Sequence, residues 1–175
     1  MFNLKRVVSF FLFVVPFLFY GQTNIFDIAR SGSIEDVKRL MSINPDTINM
    51  IDSNGHLPLT LACYRGNKDV AIFLASKVKN IDGSSDYGTP LMAAVYKNKT
   101  EIVEQLLRLK ANPNFADANG TTALHYAIIL RNVQIINLLI QANADVNFKD
   151  KRGNTAKDYA SMTQNESIIE LIHKK

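Results

Sequence analysis

An all-α solenoid of stacked helix pairs is the fold class that this 175-residue sequence predicts. Three observations carry the prediction. Glycines recur at Gly55, Gly88, Gly120 and Gly153, at spacings of 33, 32 and 33. Apolar residues recur in phase with them: the small column Ala62, Ala94, Ala127, Ala160, and the larger columns Leu40, Leu74, Leu106, Leu139, Ile172 and Val37, Ala71, Val103, Ile136, Ile169. Within each period the order is constant: a polar turn, a short apolar segment, a polar break, then a longer amphipathic segment. A fixed period of about 33 residues marks a repeat array, in which one unit cannot bury its apolar face alone and stacks on its neighbours.

The elements follow in chain order. Residues 1–22 differ from the rest: Lys5 and Arg6 precede the apolar stretch Val7–Tyr20, and small or polar residues follow. That stretch is 14 residues long, short of the roughly 20 that span a bilayer. The pattern predicts a secretory signal peptide cleaved near Gly21–Gln22, hence an exported chain, periplasmic or secreted. Phe19 stands where a small residue is preferred, so retention as a membrane anchor is the alternative. Beyond it, each period opens with Asp and closes its turn with Gly, as in Asp52-Ser53-Asn54-Gly55 and Asp117-Ala118-Asn119-Gly120. Asp hydrogen-bonds its own backbone two residues on, and Gly accepts positive φ, so these segments are turn tips. Thr89 before Pro90 and Thr122 before Ala123 read as helix caps, with proline at the first helical position. The breaks Gly66-Asn67, Asn98-Lys99 and Arg131-Asn132 precede the second helices, which carry paired apolar residues such as Ile102, Val103, Leu106 and Leu107.

Composition excludes several functions. Hydrophobic residues at 47% and charged residues at 21% describe a folding chain, not a disordered one. A single cysteine, Cys63, excludes an internal disulfide framework and a cysteine-cluster zinc site. The formal charge is +4, and without Lys5 and Arg6 it is +2, which gives no support to a nucleic-acid partner.

Gly88-Thr89-Pro90-Leu91, Gly120-Thr121-Thr122-Ala123-Leu124-His125-Tyr126-Ala127 and the repeat end Ala142-Asn143-Ala144-Asp145-Val146-Asn147 resemble ankyrin repeats, whose mark is T-P-L-H-x-A at a period of 33. The resemblance is to exported bacterial-type ankyrin-repeat proteins and implies helix-turn-helix units with projecting β-turn or hairpin loops. It covers an ankyrin domain over 23–175: an N-terminal cap over 24–51, full repeats over 52–84, 85–116 and 117–149, and a C-terminal cap over 150–175. Departures are Leu57 for the usual threonine, Thr60 and Met92 for the histidine, a repeat one residue short between Gly88 and Pro90, and the exit Lys79-Asn80-Ile81-Asp82-Gly83 without its Gly-Ala pair. Such departures are expected to distort individual turns and to leave the fold intact.

The residues show no catalytic constellation, so no catalytic residue, metal ligand, cofactor or small-molecule substrate is predicted. There is no G-x-S-x-G, phosphate-cradling glycine loop or H-E-x-x-H. Cys63 sits at a small core position, His56 in an exposed turn tip, and His173 in the last turn of the last helix. The recurrence of Asp52, Asp86, Asp117 and Asp150 at turn starts points to structure, not to metal. The resemblance implies that His125 is a structural histidine bonding across neighbouring turns. It also implies binding of another protein through turn tips and the exposed side of each first helix. Carried over by position, those surfaces contain Arg30, Tyr64, Arg65, Tyr96, Lys97, Ile129 and Leu130 near the helix ends and His56, Tyr87 and Arg152 at the tips. Tyr and Arg are the residue types that dominate interface hot spots. The other reading of these side chains is that they pack against neighbouring turns. The function expected is non-enzymatic binding of another protein, with inhibition or protection of an exported enzyme or toxin as its sharper form. An envelope-anchored adaptor is the alternative, and membrane contact is expected only if the N-terminal segment is retained.

Overall fold

A computed structural model describes residues 24–85 and 88–174; the expected signal peptide and Tyr87 lie outside the described residues. The described chain forms five helix pairs: α1 (Ile25–Ser31) with α2 (Ile34–Ile43), α3 (Pro58–Arg65) with α4 (Lys68–Ala75), α5 (Pro90–Tyr96) with α6 (Thr100–Arg108), α7 (Ala123–Ile129) with α8 (Val133–Gln141), and α9 (Ala156–Thr163) with α10 (Glu166–His173). A 3-10 turn, Pro45–Asn49, follows α2. The first helix of each pair packs on the first helices of its neighbours, and the second helices do likewise, so the stack has two layers. The fingers between pairs contribute only isolated bridges, Ser85 to Gly88 and Ala116 to Thr122.

Helices of seven to ten residues are too short to be stable alone. Several of their starts are capped by side chains, while those of α3, α4 and α6 are not. Ser33 and Asp36 form a capping box, as do Thr155 and Asp158, and the Thr89 hydroxyl accepts from the Met92 amide at 3.3 Å. Leu57 starts α3 with no side-chain cap, yet Pro58 still takes the first helical position. The chain tolerates that loss because Leu59 and Thr60 are buried directly behind it.

The core runs the length of the stack. Ala62, Ala94, Ala127 and Ala160 are fully buried, which lets the two helices of each pair approach closely. Leu74, Leu106 and Leu139 fill the space between layers. One column breaks at each end: Leu40 and Ile169 are only partly buried, while Val37 and Ile172 stay fully buried; among the described residues α2 and α10 have a stacked neighbour on one side only. Cys63 is buried, and burial pushes its thiol up, away from reactivity.

Polar ladders tie successive repeats. The Asn67 side-chain amide donates to the carbonyls of Gly32 at 3.0 Å and Ile28 at 3.3 Å, and the Asn132 side chain donates to Asn98 Oδ1. On the loops, Asn49 Oδ1 accepts from the Lys79 amide at 3.0 Å, Asp82 Oδ1 from Asn112 at 2.9 Å, and Asn114 Oδ1 from Asp145 at 2.8 Å. The atypical exit around Asp82 thus keeps the inter-repeat bond that the expected distortion would have broken; a carboxylate replaces the asparagine.

His125 is buried and accepts at Nδ1 from the Thr122 amide at 3.1 Å, with the Thr122 hydroxyl at 2.8 Å. Accepting there leaves the proton on Nε2, which faces the carbonyls of Phe148 and Asn154 in the next turn without full hydrogen-bond geometry. Burial holds the ring below its ordinary pKa. The hydrogen bonds lie within its own turn, while the bond across turns that the resemblance implies is not formed in full.

Leu106→Ala is expected to cost about 2–5 kcal/mol, since Leu106 is buried between layers and little can collapse into the space. A urea melt checks this, and an unchanged midpoint would place Leu106 outside the core.

Candidate functional site

Three of the fingers are each built on one described aspartate. Asp117 Oδ1 accepts from the amides of Asn119 at 2.8 Å and Thr121 at 2.9 Å. Asp150 Oδ1 accepts from Arg152 and Asn154, both at 2.9 Å, and Asp52 Oδ1 from Asn54 at 2.9 Å and His56 at 2.8 Å. Gly120 completes its tip at φ 75°, where an added Cβ would also meet the Lys151 amide nitrogen at 3.0 Å. That amide donates to the Asn119 carbonyl at 3.0 Å, joining adjacent fingers.

The second carboxylate oxygen fixes the finger to its helix. The Tyr126 hydroxyl donates to Asp117 Oδ2 and the Tyr159 hydroxyl to Asp150 Oδ2, each at 2.6 Å and each nine residues on from its aspartate. The same position in α3 is Leu61, which has no hydroxyl. Asp52 Oδ2 instead meets His56 Nδ1 at 3.1 Å and the Arg30 guanidinium at 3.7 Å. Burial raises the Asp52 pKa, but the amides of His56 and Asn54 and the His56 ring outweigh it and hold the carboxyl below the usual range. The Tyr159 hydroxyl does the same for Asp150. Burial and the Asp117 carboxylate push the Tyr126 phenol up to about 12.

Between fingers and inner helices lies a groove of about 620 Å³. Arg30, His56, Tyr64, Arg65 and Tyr96 line it, and with them Thr60, Leu61, Met92, Ala93, Asp117, Asn119 and Tyr126. Five of the residues expected at the surface therefore meet in one place. Lys97 stands beside them, its Nζ 4.3 Å from the centre of the Tyr64 ring and 5.7 Å from that of Tyr96. Tyr64 and Tyr96 are 41% and 52% exposed, so they are surface rings and not core. Tyr96 also meets Tyr126 edge to face, with centroids 5.8 Å apart.

One expectation is corrected. His56 is not a free turn-tip contact: it is half-buried and bound to Asp52. Arg30 is drawn partly inward by ion pairs to Asp27 at 3.0 Å and to Asp52. Ile129 and Leu130 are exposed but do not line the groove, and Arg152 stands at the last fingertip, away from it. Leu61, Met92 and Ala93 belong to the core and, with the partly buried Tyr126, also line the groove. The signal for Tyr126 was present, as the Asp-to-Tyr spacing of nine occurs twice.

Chemically, the groove offers aromatic faces and cations. Its carboxylates are occupied by the turns, and among the described residues no group of His, Cys, Asp and Glu could hold a metal. No described helix is long and apolar enough to cross a membrane.

Comparison with known families agrees with this architecture. The model of ankyrin repeats in three copies matches residues 25–117 and 91–175. The chain belongs to the ankyrin-repeat family. Ankyrin repeats are protein-interaction modules and are in general non-catalytic. Similar proteins include the ankyrin repeat and SAM domain-containing protein 6 of Mus musculus, 31% identical over 109 residues, covering 61% of this chain and 12% of that protein. The E3 ubiquitin-protein ligase KEG of Arabidopsis thaliana is 29% identical over 111 residues, covering 62% and 7%. The nuclear factor NF-kappa-B p105 subunit of Gallus gallus is 29% identical over 110 residues, covering 59% and 11%. The matched ankyrin segment is thus a small fraction of each of these relatives.

Two predictions test the finger locks. Tyr126→Phe removes a phenol–carboxylate hydrogen bond at a partly exposed site and is expected to cost about 1 kcal/mol in a urea melt. The folded-state pKa values of Asp52 and Asp150 lie below their unfolded values. Their contribution is therefore complete above the ordinary carboxylate pKa of about 4 and is lost as pH falls through and below it. Melting temperatures at pH 7, 4 and 3 are expected to fall in that order, and Asp150→Asn to flatten the decline.

Proposed function

We propose that this chain is exported and binds one partner protein in the groove between its fingers and inner helices, and that the hold inhibits or shields a partner that is an exported enzyme or toxin. The observation that carries the binding face is the gathering of Tyr64, Tyr96, Arg65, Arg30 and His56 along one groove, with Lys97 between the two tyrosine rings. A rigid stack presents these side chains already in place, so little ordering is lost on binding. Half-exposed tyrosines give large contact area with few rotatable bonds, the property that makes them hot spots. Export is supported by the order of the first 22 residues: basic start, apolar centre, polar end. Phe19 before Gly21 favours a second reading, an adaptor held to the envelope by an uncleaved segment.

The test is a pull-down from the exported fraction of the native host, with the wild-type chain and a Tyr64→Ala/Tyr96→Ala double variant as baits. The double variant is expected to melt close to wild type, within about 1 kcal/mol, because both rings are half exposed. A partner caught by wild type and lost by the variant is the expected result. Equal capture by both baits would move the interface elsewhere. Mass spectrometry of the chain from the host is expected to find an N-terminus near Gln22; an intact Met1 would favour the anchored adaptor.

A further inference from the structure

The groove floor is uneven for a reason visible in the repeat alignment. One inner-helix position holds Leu61, Ala93, Tyr126 and Tyr159 in successive repeats. Tyr126 and Tyr159 reach across to their fingers. Ala93 ends at its Cβ and lines the groove together with Leu61, Met92, Tyr96 and Tyr126. The result is an apolar notch in the middle of the groove.

Among the described residues, the charge left free around the notch has one sign. Asp117 lines the groove and Asp52 holds the preceding finger, and both are consumed: Asp52 by two amides, His56 and Arg30, and Asp117 by two amides and the Tyr126 hydroxyl. Arg65 is exposed and has no carboxylate partner among the described residues, and Lys97 rests on two aromatic faces without one. A cation over a ring keeps its charge for a further anion.

We propose that the groove takes an extended acidic segment of the partner protein, one aliphatic side chain entering the notch above Ala93 and neighbouring carboxylates meeting Arg65 and Lys97. This rests on the reading of the groove as the partner site and names what that partner presents. A nucleic acid is disfavoured, since single strands are held by a continuous cationic track, whereas Arg65 and Lys97, without a carboxylate partner among the described residues, stand beside an apolar notch. The basic N-terminal segment of the chain itself has the wrong sign.

The experiment is a titration of the protein, purified as it occurs in its host, followed by amide NMR shifts. The probes are acetylated, amidated peptides Glu-Asp-Leu-Asp-Glu, Glu-Asp-Gly-Asp-Glu and Lys-Arg-Leu-Arg-Lys, with a twelve-residue oligo-dT as control. Saturable binding of the first peptide is expected, with shifts at Tyr64, Ala93 and Tyr96. The glycine and basic peptides are expected to bind at least tenfold more weakly, and 0.5 M salt to weaken the first peptide by a similar factor. Ala93→Tyr fills the notch and is expected to lower affinity at least tenfold. Arg65→Glu with Lys97→Glu is expected to do the same with an unchanged melting temperature. The charge pair decides the matter if Ala93→Tyr fails to fold. No binding, equal binding of all three peptides, tighter binding of oligo-dT, or indifference to the charge pair would overturn the proposal. A host partner lost by the double tyrosine variant but retained by the charge pair would overturn the acidic segment alone and leave the binding module standing.

Discussion

Short helices that cannot close their own apolar surface are the constraint on which the rest of this structure depends. No helix in the described chain exceeds ten residues, and each is held by the helices stacked against it. That demand explains the fully buried alanine column, since only a small side chain lets two helices of a pair lie close enough to share Leu74, Leu106 or Leu139 with the next layer. It also explains the ends. Leu40 and Ile169 occupy core positions of the repeat and yet meet solvent, because burial here is a property of having a neighbour and not of the residue.

The fingers solve a different problem. A loop projecting from a stack needs something other than packing to hold its shape, and here an aspartate does it with both oxygens. One oxygen gathers two amides of its own turn, and the other is taken by a side chain, for Asp117 and Asp150 one from the helix that follows. Where the repeat supplies tyrosine, the second bond is a phenol. Where it supplies leucine, His56 and Arg30 take over, so that two groove-lining residues also hold a finger.

The period, the turn tips and the helix order were legible in the sequence because each is a local pattern repeated in phase. Tyr64, Tyr96 and Arg65 were legible as surface residues because they fall at the exposed end of each inner helix. His56 was misread because a turn tip looks exposed until its own aspartate is placed 3.1 Å from the ring. Ala93 was invisible as a groove residue because an alanine in an inner helix reads as packing. Its meaning comes from comparison with Tyr126 across a gap that exists only once the repeats are stacked. Asp82 was read as an irregular exit, and its bond to the Asn112 amide depends on a residue thirty positions away.

The groove draws its lining from α1 to α7 and nothing from the last helix pair. In an array stabilised by nearest neighbours, local opening starts at the ends and stops at the first well-buried interface. Loss of order in α9 and α10 would expose His125 and the final alanine layer while the groove kept its walls. Loss of α1 would remove Arg30 and loosen Asp52 at once. The two ends of the stack are therefore unequal: one is a buffer against wear, and the other forms part of the groove itself.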